Sequence, residues 1–342
     1  MKALVLDGVY NLTECQQPLT LVEKEKPVPG PEEILVRVKA CGVCRTELDE
    51  IEGRVKVAFY PIVLGHQVVG VIEAKGIHCH QLCIGDWVGI GWFYSSCGTC
   101  RFCQQGQQNL CSEFKATGLD VNGGYAEYLV VPETSAYRLP EKLSVVHSAP
   151  LLCAGAIGYR CLRLSGLKDG QTLGLIGFGA SGHLVLQMAK YLFPHSPIFV
   201  FTRSVQERQL AQQLGAAWTG EISAVPPSLL DCGIDTTPVW QPVITGLAIL
   251  QKGGRLIINA ISKEDTDKPE LIKLNYQKHL WQEKEIKTVA NVTPQDIAGC
   301  LSLAEKIPLL PKVQEYSLEE ANLALREIKM GQIKGAKVLR LD

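Results

Sequence analysis

The stretch LGLIGFGASGHLVLQMAK, residues 173–190, constrains the fold of this chain more than any other. Gly177, Gly179 and Gly182 stand as G-x-G-x-x-G between a β-type apolar run (Thr172–Ile176) and a helical one (Ser181–Phe193). A strand that turns at once into a helix through glycines belongs in a parallel sheet. The first glycine permits the tight turn, the second lets the backbone approach a pyrophosphate, and the third lets the helix lie close on the sheet. A pyrophosphate then meets the backbone N–H groups at the helix N-terminus. Gly177, Gly179, Ala180, Ser181 and Gly182 are therefore candidate dinucleotide contacts. A plain strand-to-helix turn is the other reading.

The surrounding residues repeat the alternation. After Pro150 come a helical run ending at Gly166, then strand and helix patterns over 198–202, 205–214, 230–234 and 255–260. This pace predicts a parallel sheet with helices on both faces. About 20 residues past the glycines, a binder of NAD shows an acid for the ribose 2′-hydroxyl. Here FVFTRSVQER ends its strand on Thr202, Arg203 and Ser204, with no acid. Two hydroxyls and a guanidinium suit a 2′-phosphate, so NADP(H) is expected over NAD(H). An ordinary solvated strand end is the alternative for Arg203.

The first half reads differently. EILVRVKA, VVGVIEAKG, DWVGIGW and YAEYLVVP are short β-type runs separated by Gly, Pro and Asp. They predict a mainly β domain. Near the C-terminus, Ser317 and Glu320 form a capping box before a helix closed by Gly331, and AKVLRL reads as a last strand. With 342 residues there is room for two domains. A net charge of -1 gives no basic footprint for nucleic acid or anionic membrane. No apolar run is long enough for a signal peptide or a membrane span, so a cytoplasmic protein is expected. In that reducing setting the 13 cysteines read as metal ligands or catalytic groups, not disulfides.

SCGTCRFCQQGQQNLC brings Cys97, Cys100, Cys103 and Cys111 into one loop. Thiolates at this spacing can close a tetrahedral structural zinc site. An iron–sulfur cluster is the second reading. A closed site next to a dinucleotide fold suggests hydride transfer at another, open metal. GVCRTELD, LGHQVVG and APLLCAG supply Cys44, His66 and Cys153 for about three ligands and one exchangeable position.

These motifs, together with GGYAEYLVVP and GFGASG, occur in an order that resembles the zinc-dependent medium-chain alcohol dehydrogenases over nearly the whole chain. The resemblance implies an α/β protein: a GroES-like, mainly β catalytic domain plus a Rossmann domain with a doubly wound parallel sheet. Residues 1–152, completed by 292–342, would form the first, and 153–291 the second. The active site would lie in the cleft between them. It implies two zinc ions per chain and reversible oxidation of alcohols to aldehydes or ketones. By the same resemblance Cys41 is a core cysteine, Thr46 the hydroxyl that relays the alcohol proton, and Arg45 a pyrophosphate contact. Trp92 would line the pocket, or serve as a core aromatic.

Some positions depart from the best-known members. Gln67 stands where they carry Glu, and Asp49 where a relay His often sits, so Asp49 is either an outer relay or a solvated carboxylate. Ala336 replaces a pyrophosphate-binding Arg, with Lys334 or Lys337 as candidate substitutes. HCHQLCIGD (His78, Cys79, His80, Cys83) resembles a variable surface loop more than a third metal site. His183 reads as a helix-surface or satisfied residue. Cys15, Cys161, Cys232 and Cys300 read as small core residues. A polyol or secondary-alcohol dehydrogenase, or a non-catalytic nucleotide- or redox-sensing relative, are the competing functions. Relatives imply a homodimer or homotetramer acting on a small alcohol or aldehyde, with no nucleic acid or membrane partner.

Overall fold

The computed structural model describes residues 1–309, 311–331 and 335–341. The chain forms two compact units, Met1–Ala156 with Asn291–Asp342, and Ile157–Ala290. The division falls inside the helix Ala154–Ser165, just past the boundary the sequence motifs suggest.

The first unit is built on strand β1 (Glu33–Val43), whose alternating and then continuous apolar residues bury most of its length. It pairs antiparallel with Val68–Lys75, Tyr128–Pro132 and Ala336–Arg340. The pairing Lys337↔Val43 through Arg340↔Ala40 shows why residues near the C-terminus belong to this unit: they add a strand to its central one. Val313–Ser317 extends the sheet beside them. The helix Ala321–Lys329 follows the expected Ser317/Glu320 capping box and presses Ala321, Ala324, Leu325 and Ile328 into the core.

One expectation near the C-terminus changes. Lys337 is buried, and its ammonium is held by Glu327, the Tyr316 hydroxyl at 2.6 Å and Gln314 Oε1 at 3.2 Å. All its protons are committed to the unit's own fold, so it is not a substitute for the missing arginine at Ala336. Lys334 lies outside the described residues.

The second unit carries six parallel strands. They are β2 (Leu173–Ile176), β3 (Ile198–Phe201), β4 (Trp218–Gly220), β5 (Leu230–Asp235), β6 (Leu250–Ile258) and β7 (Glu285–Thr288), in the order β4-β3-β2-β5-β6-β7. Every residue of β2 and β3 is buried, the pattern of strands covered on both faces. The order reverses between β2 and β5, which in such sheets is where ligands bind, outside the carboxyl ends of the strands. At the opposite margin, all of β7 is exposed.

Candidate metal and dinucleotide sites

Cys44 follows β1 and N-caps helix α1 (Arg45–Ile51). Its Sγ accepts the Thr46 N–H at 3.4 Å, while Glu47 reaches back to the Cys44 N–H at 2.9 Å. A thiol thus occupies the capping place usual for Ser or Thr, which fixes its direction. His66 sits in the link between Ile62–Val63 and Val68–Lys75. Cys153 stands immediately before the helix Ala154–Ser165. These three come together, with His66 Nε2 3.7 Å from Cys44 Sγ and 3.4 Å from Cys153 Sγ. Tetrahedral zinc bonds of about 2.3 Å to sulfur and 2.0 Å to nitrogen call for S···N separations of about 3.5 Å. The trio therefore fits a zinc ion and supplies three ligands. Cys41, fully buried in the core, is not among them.

The surroundings orient these groups. Glu47, fully buried, places Oε1 2.9 Å from His66 Nδ1, close enough for an ion pair although off the line of a full hydrogen bond. Burial works to push His66 down, but the Glu47 carboxylate and Cys44 outweigh it and hold the ring well above its usual range. The Cys44 thiol is pushed up by its hydrogen bond with Cys153 and by burial. Trp92 is buried with its ring edge-on to His66, centroids 4.8 Å apart, so it braces the ligand. Gln67 is buried with Nε2 unpartnered, and a Cβ on Gly42 would meet its side chain at 2.6 Å. Glu47 escaped the sequence reading, although Cys44–x–x–Glu47 has capping-box spacing with Cys in the place of Ser.

Asp49 is not a solvated carboxylate. It is buried and bonded to Arg54 at 2.6 Å, and burial raises it in spite of that partner. Arg54 also contacts Glu52, which pairs with Lys329 at 2.7 Å. This chain of ion pairs joins α1 to the helix Ala321–Lys329. It ties Asp49 into an ion-pair network.

The loop cysteines also converge. Cys97 lies 3.9 Å from Cys103 and 3.5 Å from Cys111, and Cys100 lies 3.6 Å from Cys103, between sulfurs. Four thiolates around zinc stand about 3.8 Å apart, so this set fits a closed site. Backbone N–H groups of Cys100 and Thr99 lower Cys97 to about 6, which favours the thiolate that a metal needs. Residues 78–83 assemble no third group among the described residues. Cys79 is buried against the Glu33 carbonyl, and Glu133 accepts the N–H groups of His80, Gln81 and Leu82, stitching the loop down.

In the second unit, Gly177 has φ +87, and a Cβ there would meet Thr236 Oγ1 at 2.6 Å. A Cβ on Gly182 would meet the Gly177 carbonyl at 2.7 Å, whereas one on Gly179 would meet nothing. Two glycines are needed for packing, and the third leaves clear space over the N-terminus of helix α2 (Ala180–Leu192), where Ala180 and Ser181 begin the first turn. That space fits a pyrophosphate. His183 is buried on this helix, its Nδ1 donating to the Gly179 carbonyl at 3.0 Å, and burial lowers it.

At the end of β3, Thr202 is buried, Arg203 exposed, and Ser204 caps helix α3 (Val205–Gln213). The strand itself ends without an acid, but the fold brings one. The Thr202 hydroxyl donates to the Glu207 carboxylate. Ser204–x–x–Glu207 is a capping-box spacing in the sequence, and that was the signal for it. Arg45, at the start of α1 in the first unit, is exposed.

Residues 30–141 match the alcohol dehydrogenase GroES-like domain. Over 327 residues the chain is 42% identical to the probable alcohol dehydrogenase AdhA of Mycobacterium tuberculosis, spanning 94% of this chain and 92% of that protein. It is 32% identical over 356 residues to an alcohol dehydrogenase of Geobacillus stearothermophilus, covering 100% of both. Its fold is similar to that of a cobalt- and zinc-bound thermostable alcohol dehydrogenase from Pyrobaculum aerophilum, with a TM-score of 0.87 and 23% identity over 100% of this chain and 99% of that one. Two metal-ligand groups, a glycine turn on a doubly wound sheet and this likeness along the whole chain place the protein in the zinc-dependent alcohol dehydrogenases of the medium-chain dehydrogenase/reductase superfamily.

Proposed function

We propose that the protein catalyses the reversible oxidation of small alcohols to aldehydes or ketones, using NADP(H) in preference to NAD(H) and holding two zinc ions per chain. The carrying observation is the convergence of Cys44, His66 and Cys153 into an incomplete tetrahedral set. Zinc bound there supplies Lewis acidity at the substrate oxygen.

The remaining work belongs to this chain's own groups. Glu47 holds the His66 ring so that Nε2 faces the two thiols. Trp92 packs on the other side of the imidazole and limits its rotation. Thr46, half-buried two residues after Cys44, offers its hydroxyl to take the alcohol proton outward. Gln67, a neutral amide, adds no charge beside the ligands. Gly177, Gly179 and the N-terminus of α2 take the pyrophosphate, and Arg45 keeps the phosphate-contact role that the family resemblance implies. Arg203, with Thr202 and Ser204, gives the 2′-phosphate a charge-assisted partner. The four-cysteine loop holds the second zinc and serves stability.

A cytoplasmic setting is part of the same reading, supported by 13 cysteines with no disulfide among the described residues, which suits a reducing compartment. So is a homodimer or homotetramer, supported by the unpaired edge at β7. The test is elemental analysis joined to an assay of alcohols and aldehydes with both dinucleotides. Two zincs per chain and turnover favouring NADPH are expected. Iron in place of zinc, or no turnover by zinc-loaded protein, would overturn the reading.

A further inference from the structure

We propose that Glu207 is a specificity-determining residue for the dinucleotide, supplying from α3 the carboxylate that β3 lacks and restraining the preference for a 2′-phosphate. This inference rests on the dehydrogenase reading of the second unit but not on the role given to Arg203. In doubly wound sheets the adenine-side ribose is contacted from the end of the second strand. That end is here Thr202, whose backbone N–H is held by the Gly220 carbonyl of β4 at 2.8 Å.

Hydrogen bonds draw Glu207 to this point. The Ser204 N–H donates to Thr202 Oγ1 at 3.3 Å, and the Thr202 hydroxyl in turn donates to the Glu207 carboxylate. The Glu207 N–H donates to Ser204 Oγ at 3.3 Å, as a helix cap requires. In an ordinary capping box the carboxylate would return to the Ser204 N–H. Thr202 is interposed, so the carboxylate is held at the strand end instead.

The neighbouring arginine on its own helix is engaged elsewhere. Arg208 is turned to the Thr202 carbonyl at 2.7 Å and the Arg203 carbonyl at 3.1 Å, with Glu221 at 3.8 Å. Among the described residues no cation pairs with Glu207. One corner therefore carries a positive group, Arg203, and a negative one. A ribose 2′-hydroxyl can donate to the carboxylate; a 2′-phosphate is repelled by it. Opposed charges at one corner give a protein that accepts both dinucleotides and prefers NADPH only modestly.

Glu207→Gln isolates the charge, because the amide oxygen still accepts from Thr202. The experiment measures kcat/KM for NADPH and NADH in zinc-loaded, full-length protein, and the dissociation constants of both by nicotinamide fluorescence. The NADPH/NADH ratio should rise about tenfold in E207Q, the scale of one charge-assisted bond, with the change in KM and Kd rather than kcat. Glu207→Ala, which removes the charge along with the bond, should move the ratio the same way. A residue that merely capped the helix would lower the melting temperature and weaken both dinucleotides alike. A ratio within twofold of the unmutated protein in both variants overturns the proposal. Arg203→Ala tests the other reading separately: if it leaves the ratio unchanged while E207Q raises it, the role of Arg203 fails and that of Glu207 stands.

Discussion

The division of labour around the metal trio is decided by single atoms. Cys44 is both candidate ligand and helix cap, so its sulfur is directed by the chain's own fold. Glu47 uses one oxygen for the Cys44 N–H and turns the other to His66. Glu47→Gln keeps an acceptor for the cap but loses the negative charge on the imidazole. Zinc affinity should fall about 10- to 100-fold, read by competition with a chromophoric chelator, while the melting temperature of zinc-saturated protein changes little. Unchanged affinity would mean that the carboxylate only caps the helix. Asp49 gives the opposite lesson. Its position suggested a relay, yet burial beside Arg54 ties it into ion pairs, and only the folded chain shows that partner.

At the scale of elements, two loops beside the glycine turn are sewn together. Lys263, after β6, donates to Asp235 at 2.6 Å, the Thr237 carbonyl at 2.8 Å and the Val239 carbonyl at 2.9 Å. Asp267 then caps helix α4 (Gln241–Ala248), accepting the N–H groups of Trp240 and Gln241. Both side chains are largely withdrawn from solvent, with Asp235 fully buried. Lys263→Met leaves a buried carboxylate uncompensated and should cost about 3–5 kcal/mol, measured by denaturant unfolding. Asp235→Asn combined with Lys263→Met should recover most of the loss, because no unpaired charge then remains. A double variant no more stable than the single one would show that the loops depend on more than the pair. The sequence carried no sign of this contact, since 28 residues separate its partners.

For the whole molecule, the two metal groups predict different failures. Cys100→Ser opens a site that closes a loop and lends folding energy, so it should lose one zinc and melt at lower temperature. Cys44→Ser breaks the open site and should abolish turnover with a smaller effect on melting. Identical behaviour in zinc content, melting and turnover would remove the distinction between them. Much of this was legible in the chain itself. Strand and helix periods, glycines at a strand-to-helix turn and cysteines close in sequence are local signals, and local geometry is enough to interpret them. They determined a mainly β unit, a doubly wound unit, the four-cysteine cluster and the glycine turn. Tertiary structure alone decided what depends on distant segments meeting. It closed β1 with Ala336–Arg340 and locked Lys337 away from the role of a phosphate ligand. It set Trp92 against His66, and brought Glu207 to a strand end that reads as acid-free. The physical reason is that a side chain's charge and neighbours are set by burial and by partners elsewhere in the chain, which residue spacing does not encode.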